Sequence, residues 1–129
     1  MKAQAKGPLT EPAYRAALEK CRRLARAEGI DAVMDRHQFD AIVAPTTGPA
    51  HVTDWVWGDR DTGGSTSPAA VAGYPSVTVP AGFVSGLPVG ISFFGRPYSE
   101  ARLIQLAFAF EQATRVRTPP RFAPTAPQP

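Results

Sequence analysis

The stretch from Ser67 to Gly95, SPAAVAGYPSVTVPAGFVSGLPVGISFFG, leaves this chain few ways to fold. Ser67-Pro68-Ala69-Ala70 reads as a helix start: a serine can cap the first N–H groups, and proline has the φ that the first helical position needs. Gly73 supplies a stop, because glycine enters the left-handed conformation that closes a helix at little cost. Ser76–Pro80 then reads as a strand, Ala81–Pro88 as a return and Val89–Phe94 as a second strand.

The flanking sequence extends this layout. Thr10 is placed to cap a helix, with Glu11 near its positive end and Pro12 in its first turn. Ala17, Cys21, Leu24 and Ala25 recur at helical spacing, and Gly29 predicts the end of that helix. Asp31 opens a second short helix through Val33, Met34 and His37. Phe39–Pro45, FDAIVAP, predicts a strand whose unbroken apolar run suits burial on both faces. Ser99 opens the last helix. Its Leu103, Ile104, Leu106, Ala107, Phe108, Phe110 and Ala113 form an apolar surface broad enough to predict burial on more than one side. The fold class is α/β: a small mixed sheet of about three strands with flanking helices, the first two strands parallel and the last two antiparallel. Residues 1–9 read as a flexible lead, 10–115 as the folded segment and 116–129 as a Pro-rich tail, with five prolines in the last eleven residues.

At 129 residues the chain is one domain or less, and 43% hydrophobic content provides a core. Fourteen basic residues against eleven acidic ones give a net charge of +3. The one basic cluster, Arg22, Arg23 and Arg26, reads as a solvated helix face, since nucleic-acid binding recruits more cations than this. Cys21 is the sole cysteine, so no internal disulfide forms, and it reads as a partly buried thiol in a reducing, cytoplasmic setting. No leader and no apolar run of membrane-spanning length is expected.

Gly63-Gly64-Ser65-Thr66-Ser67 has the look of a nucleophile site, because glycines can aim backbone N–H groups at an oxyanion. Serine needs an activating base, however, and none lies close in sequence. The motif reads better as a turn and a helix cap. His37 and His51 are isolated, and Asp54, Asp59 and Asp61 are not spaced to complete a metal site. Nothing in the spacing favours a Ser65–His51–Asp59 triad. Gly82, Gly86 and Gly90 are turn glycines and not a dinucleotide fingerprint. The loop Thr46–Thr66 is long enough to suggest function. Its Val52, Trp55, Val56 and Trp57 predict packing against another surface.

The runs FDAIVAPTTGPA, SPAAVAGYPSVTVPAGF, GLPVGISFFG, SEARLIQLAFAFEQAT and PPRFAP resemble the C-terminal end of the amidase signature family, from about Glu11 to Pro124. The resemblance implies a large α/β fold around a mixed sheet. It also implies hydrolysis of amides by two serines and a lysine, without metal or organic cofactor. Those three residues belong to parts of the family that this chain does not match. Lys2, Lys6 and Lys20 fit no catalytic lysine motif, and Ser65 and Ser67 do not inherit the nucleophile's role. No catalytic residue is therefore assigned here. The Thr46–Thr66 loop is expected near the mouth of the substrate cleft, making Trp55, Trp57, Gly63, Ser65 and Thr66 substrate-side candidates. In the branch acting on glutamine-like substrates an acidic residue near the loop's end holds the amine. Gly63 or its neighbour stands there, which argues against an amino-acid substrate.

Two functions follow from these readings. The chain is the C-terminal segment of an amide hydrolase, inactive alone, whose partners are a small amide and the missing N-terminal part. Alternatively it is a non-catalytic module that binds a partner, or a second copy of itself, through the exposed sheet edge and last helix. Neither reading calls for nucleic acid or membrane.

Overall fold

The computed structural model describes residues 7–58, 62–120 and 122. The outermost parts of the expected lead and tail lie outside them. Proline sits in the first turn of α1 (Pro12–Ala25), whose N-cap is Glu11 and not Thr10, with no side-chain capping bond. A π-helical turn, Arg26–Ile30, leads directly into α2 (Asp31–His37). Gly29 thus does not end the helix by a left-handed residue; its φ is −110° and ψ −107°. Its lack of a side chain matters for another reason: a Cβ there would stand 2.6 Å from the main-chain oxygen of Leu24. The widened turn carries Arg26 to the end of α3 (Thr66–Ala72), where its Nε donates to the Ala72 carbonyl at 2.7 Å.

α1 buries none of its residues, and Cys21 is exposed, contrary to the partly buried thiol expected. The helix meets chiefly the π turn and α3, so its apolar stripe has few described residues to pack against. Of the basic cluster, Arg23 pairs with Glu28, while Arg26 is half-buried over the Tyr74 ring.

β1 (Ile42–Pro45), β2 (Ser76–Val84) and β3 (Leu87–Phe94) form one sheet in the order β1-β3-β2. β1 and β2 run the same way, but β3 lies between them, so both pairings are antiparallel. Ser85 and Gly86, at φ 50° and 76°, make the two-residue turn that fits the twist of a β2–β3 hairpin. The pairing slips by one residue between Pro80 and Gly82. Proline has no N–H for the ladder, so a bulge there disturbs little.

Successive β3 residues face opposite sides of the sheet. Phe94 packs with Ile30, Met34, Ala69 and Ala72 beneath α2 and α3. Phe93 and Val79 pack with Leu103 and Ala107 of α4 (Glu100–Thr114). The Phe110 ring meets Phe93 edge-on at 6.0 Å. Burial of α4 is one-sided: Leu103 is 0% exposed, but Ile104 and Phe108 are 57% and 61% exposed. The wide apolar surface read from sequence is real, and the described residues cover only part of it.

Among the described residues, one polar side chain is buried within the sheet. Ser92, 1% exposed, has its Oγ 2.8 Å from Thr46 Oγ1 and 2.9 Å from Thr78 Oγ1. The three hydroxyls form a line across the strands, satisfying a group that would otherwise be costly to bury.

Candidate functional site

The long loop is pinned at its base. Thr46 N donates to the Gly90 carbonyl at 2.9 Å, Ser65 N donates to the Thr46 carbonyl at 3.0 Å, and Thr47 bridges Gly64. The two ends approach so closely that a Cβ on Gly64 would lie 2.6 Å from the Thr46 oxygen. Glycine at 64 is thus required by contact.

This closure creates a cavity of about 420 Å³. Ala44, Pro45 and residues 47–49 wall one side; Thr62, Gly63, Gly64 and Ser65 wall the other. The volume lies within the range of small-molecule sites, roughly 300–1,000 Å³. None of the described lining residues carries charge. A second hollow of about 280 Å³ opens on the same Pro45–Pro49 segment, backed by Val84, Val89 and Ile91. The segment therefore partitions two neighbouring hollows.

Of the residues singled out from sequence, Gly63 and Ser65 come together in the cavity wall. Thr66 begins α3 and lies outside the wall, exposed. Ser65, not Ser67, is the residue preceding α3, and it makes no side-chain capping bond. Its Oγ is buried and has no hydrogen-bond partner among the described residues. A serine nucleophile needs a base within hydrogen-bond reach, and these residues offer this oxygen none.

Trp55 and Trp57 do not line the cavity; they stand 94% and 85% exposed. The expected packing surface is absent from the described residues of this chain. The tryptophans are held on a formed turn. Asp54 Oδ1 accepts the N–H groups of Val56 at 2.9 Å and Trp57 at 3.0 Å, and Gly58 N donates to the Asp54 carbonyl at 3.1 Å. The bonds from Trp57 and Val56 hold the Asp54 carboxyl below its ordinary value, because they favour its charged form. Sequence reasoning missed this role of Asp54. The signal was an aspartate three residues before the second tryptophan, with Gly58 closing the turn.

The histidines stay apart from this site. His37 stacks on Phe39 with ring centres 5.0 Å apart. His51 is an exposed loop residue, and Asp59, the third member of that conceivable triad, lies outside the described residues. Among the described residues no group of three His, Cys, Asp or Glu side chains is placed to hold a metal. Pro45, Thr47, Gly48, Pro49 and Thr62 join the wall without having been singled out; their proximity follows from the Thr47–Gly64 bridge.

A second polar cluster joins α2 to the segment after α3 and to the β3–α4 connection. Tyr74 Oη donates to Asp31 Oδ2 at 2.8 Å, and Arg96 pairs with Asp35. Desolvation, then the bond to Asp31, raises the Tyr74 phenol above its ordinary value. The bond to Asp35 raises Arg96. Tyr98 stands nearby at φ 63°, fully in the left-handed region.

No helix among the described residues is long and apolar enough to cross a membrane. The chain is similar to a probable amidase of Arabidopsis thaliana, 42% identical over 107 residues, covering 82% of this chain and 18% of the relative. It is similar also to the A-type component of the glutamyl-tRNA(Gln) amidotransferase of Symbiobacterium thermophilum, 38% identical over 86 residues, 60% of this chain and 17% of that one. The solved peptide amidase of Stenotrophomonas maltophilia superposes on 94% of the chain with a TM-score of 0.84 and 52% identity, using 24% of its own length. The chain thus spans about a sixth to a quarter of the length of these relatives. With the sequence pattern of the Amidase family matching residues 2–104, and the same three-stranded α/β unit recurring inside a solved peptide amidase, the chain belongs to the amidase family, that of the amidase signature enzymes.

Proposed function

We propose that this chain is the C-terminal segment of an amide hydrolase and supplies scaffold and one wall of its substrate cleft. The groups that break the C–N bond are carried by polypeptide outside this sequence. The observation that carries the reading is Ser65: it is in the cavity wall, yet among the described residues its hydroxyl has no base to activate it. Gly63 and Ser65 take the substrate side, with Thr66 just behind them at the start of α3. The described part of the wall is uncharged and suits a neutral amide better than the charged head of a free amino acid. The single cysteine, exposed on α1, fits a reducing cytoplasm.

The test is ammonia release from peptide, aliphatic and aromatic amides by the purified chain. None is expected above background. Turnover that disappears in Ser65→Ala would overturn the assignment. The reading as a non-catalytic interaction module is favoured by one observation, the open Ile104 and Phe108 side of α4. A homodimer closed over that side would support it.

A further inference from the structure

Among the exposed apolar residues that the structure describes, two features stand out. Ala101, Ile104 and Phe108 recur at helical spacing on a side of α4 turned away from the buried Leu103 and Ala107. No charged residue occurs between Arg102 and Glu111, and Gln105 is the one polar side chain on this stretch. The second feature is the Asp54–Gly58 turn with its two tryptophans. Three hydrogen bonds fix that turn, so the rings are presented and not loosely dangling. Large apolar surfaces left open in this way mark binding faces, and pre-positioned tryptophans are frequent anchors of such faces.

The occupant is indicated by the comparison with the solved peptide amidase. There, the same unit at 52% identity occupies 24% of a longer chain, and about three quarters of the polypeptide accompanies it. We propose that the outer side of α4 and the Trp55–Trp57 turn are the seat of that remaining amidase-fold polypeptide, and that this chain binds it when the two are supplied as separate molecules. This rests on the reading of the chain as a hydrolase segment. It adds the surface and the capacity to assemble in trans.

The experiment co-expresses the full 129-residue chain with a tagged Stenotrophomonas maltophilia peptide amidase that lacks the quarter this chain matches. The expected result is a one-to-one complex by size-exclusion chromatography with light scattering, a blue shift of tryptophan emission, and hydrolysis of a peptide amide by the complex. The pair Ile104→Asp and Phe108→Asp weakens association at least tenfold. The pair Trp55→Ala and Trp57→Ala does so independently. All four positions are exposed, and circular dichroism of each variant checks that the fold is retained. A tagged remainder that stays insoluble or unpaired beside the folded chain overturns the proposal. So does a complex indifferent to both pairs, or a homodimer formed through the α4 side. A complex without turnover supports the docking surface and counts against the hydrolase reading alone, so the two can fail separately.

Discussion

Leu103 and Ile104 are adjacent on α4 and should behave oppositely when cut back to alanine. Leu103 is 0% exposed and packs among Val79, Phe93 and Ala107. Replacing it with alanine removes three buried carbons and leaves a cavity that the rigid strands cannot fully close. The cost expected is about 3 kcal/mol, within the ~2–5 kcal/mol found for such truncations. For a domain of this size that lowers Tm by roughly 10 °C. Ile104 already meets water over more than half its surface, so Ile104→Ala should cost under about 1 kcal/mol. Leu103→Met, which keeps the volume, should cost less than about 1.5 kcal/mol. Urea unfolding of the isolated chain followed by circular dichroism measures all three. Equal losses for Leu103→Ala and Ile104→Ala would refute the seating of α4 on the sheet through Leu103. A loss below about 1 kcal/mol at Leu103 would mean that this core is not tightly packed at all.

Other outcomes follow from the polar contacts and the glycines. Tyr74→Phe removes the bond to Asp31 and should cost about 1 kcal/mol. The Tyr74 phenol is raised, so its contribution is complete below the ordinary tyrosine value of about 10 and disappears as pH climbs through the raised one; ultraviolet titration of wild type against Tyr74→Phe checks this. Asp54 is lowered, so the tryptophan turn should be intact above the ordinary aspartate value and open as pH falls through the depressed one, read from the Val56 and Trp57 amide shifts. Those shifts should lose their pH response in Asp54→Ala. Gly64→Ala forces a methyl against the Thr46 oxygen and should part the Thr47–Gly64 bridge at a cost of about 1–3 kcal/mol, seen as loss of protection at the Ser65 amide in hydrogen exchange.

Local chemistry made much of this fold legible. Gly73 takes the left-handed φ expected of a helix stop, Ser99 precedes α4, and the β2–β3 return falls inside the expected Ala81–Pro88 span, though it narrows to Ser85-Gly86 and leaves Gly82 and Gly90 within the strands. The segments that resisted reading depend on distant partners. Gly29 carries the mark of a helix end, but the need to fit against Leu24 and to bring Arg26 to Ala72 turns that mark into a π turn. β1 reads as a strand from its composition, but composition does not name its neighbour, and β3 intervenes between it and β2. In the site, Gly63 and Ser65 were visible as a glycine-serine run. The Pro45–Pro49 side of the cavity depends on a bridge between residues 47 and 64, which no short window contains.

The position of β3 in the sheet has a consequence for synthesis. β1 emerges from the ribosome early, but the strand it pairs with begins at Leu87. At roughly 5–20 residues per second, β1 waits for some seconds with its edge unpaired. β2 is in turn completed just before its own partner, two residues away across a tight turn. The hairpin can therefore close first and offer its free side to a strand made long before. A translational pause between Pro45 and Leu87 would lengthen the interval in which β1 is open to misassociation, while a pause after Phe94 would not.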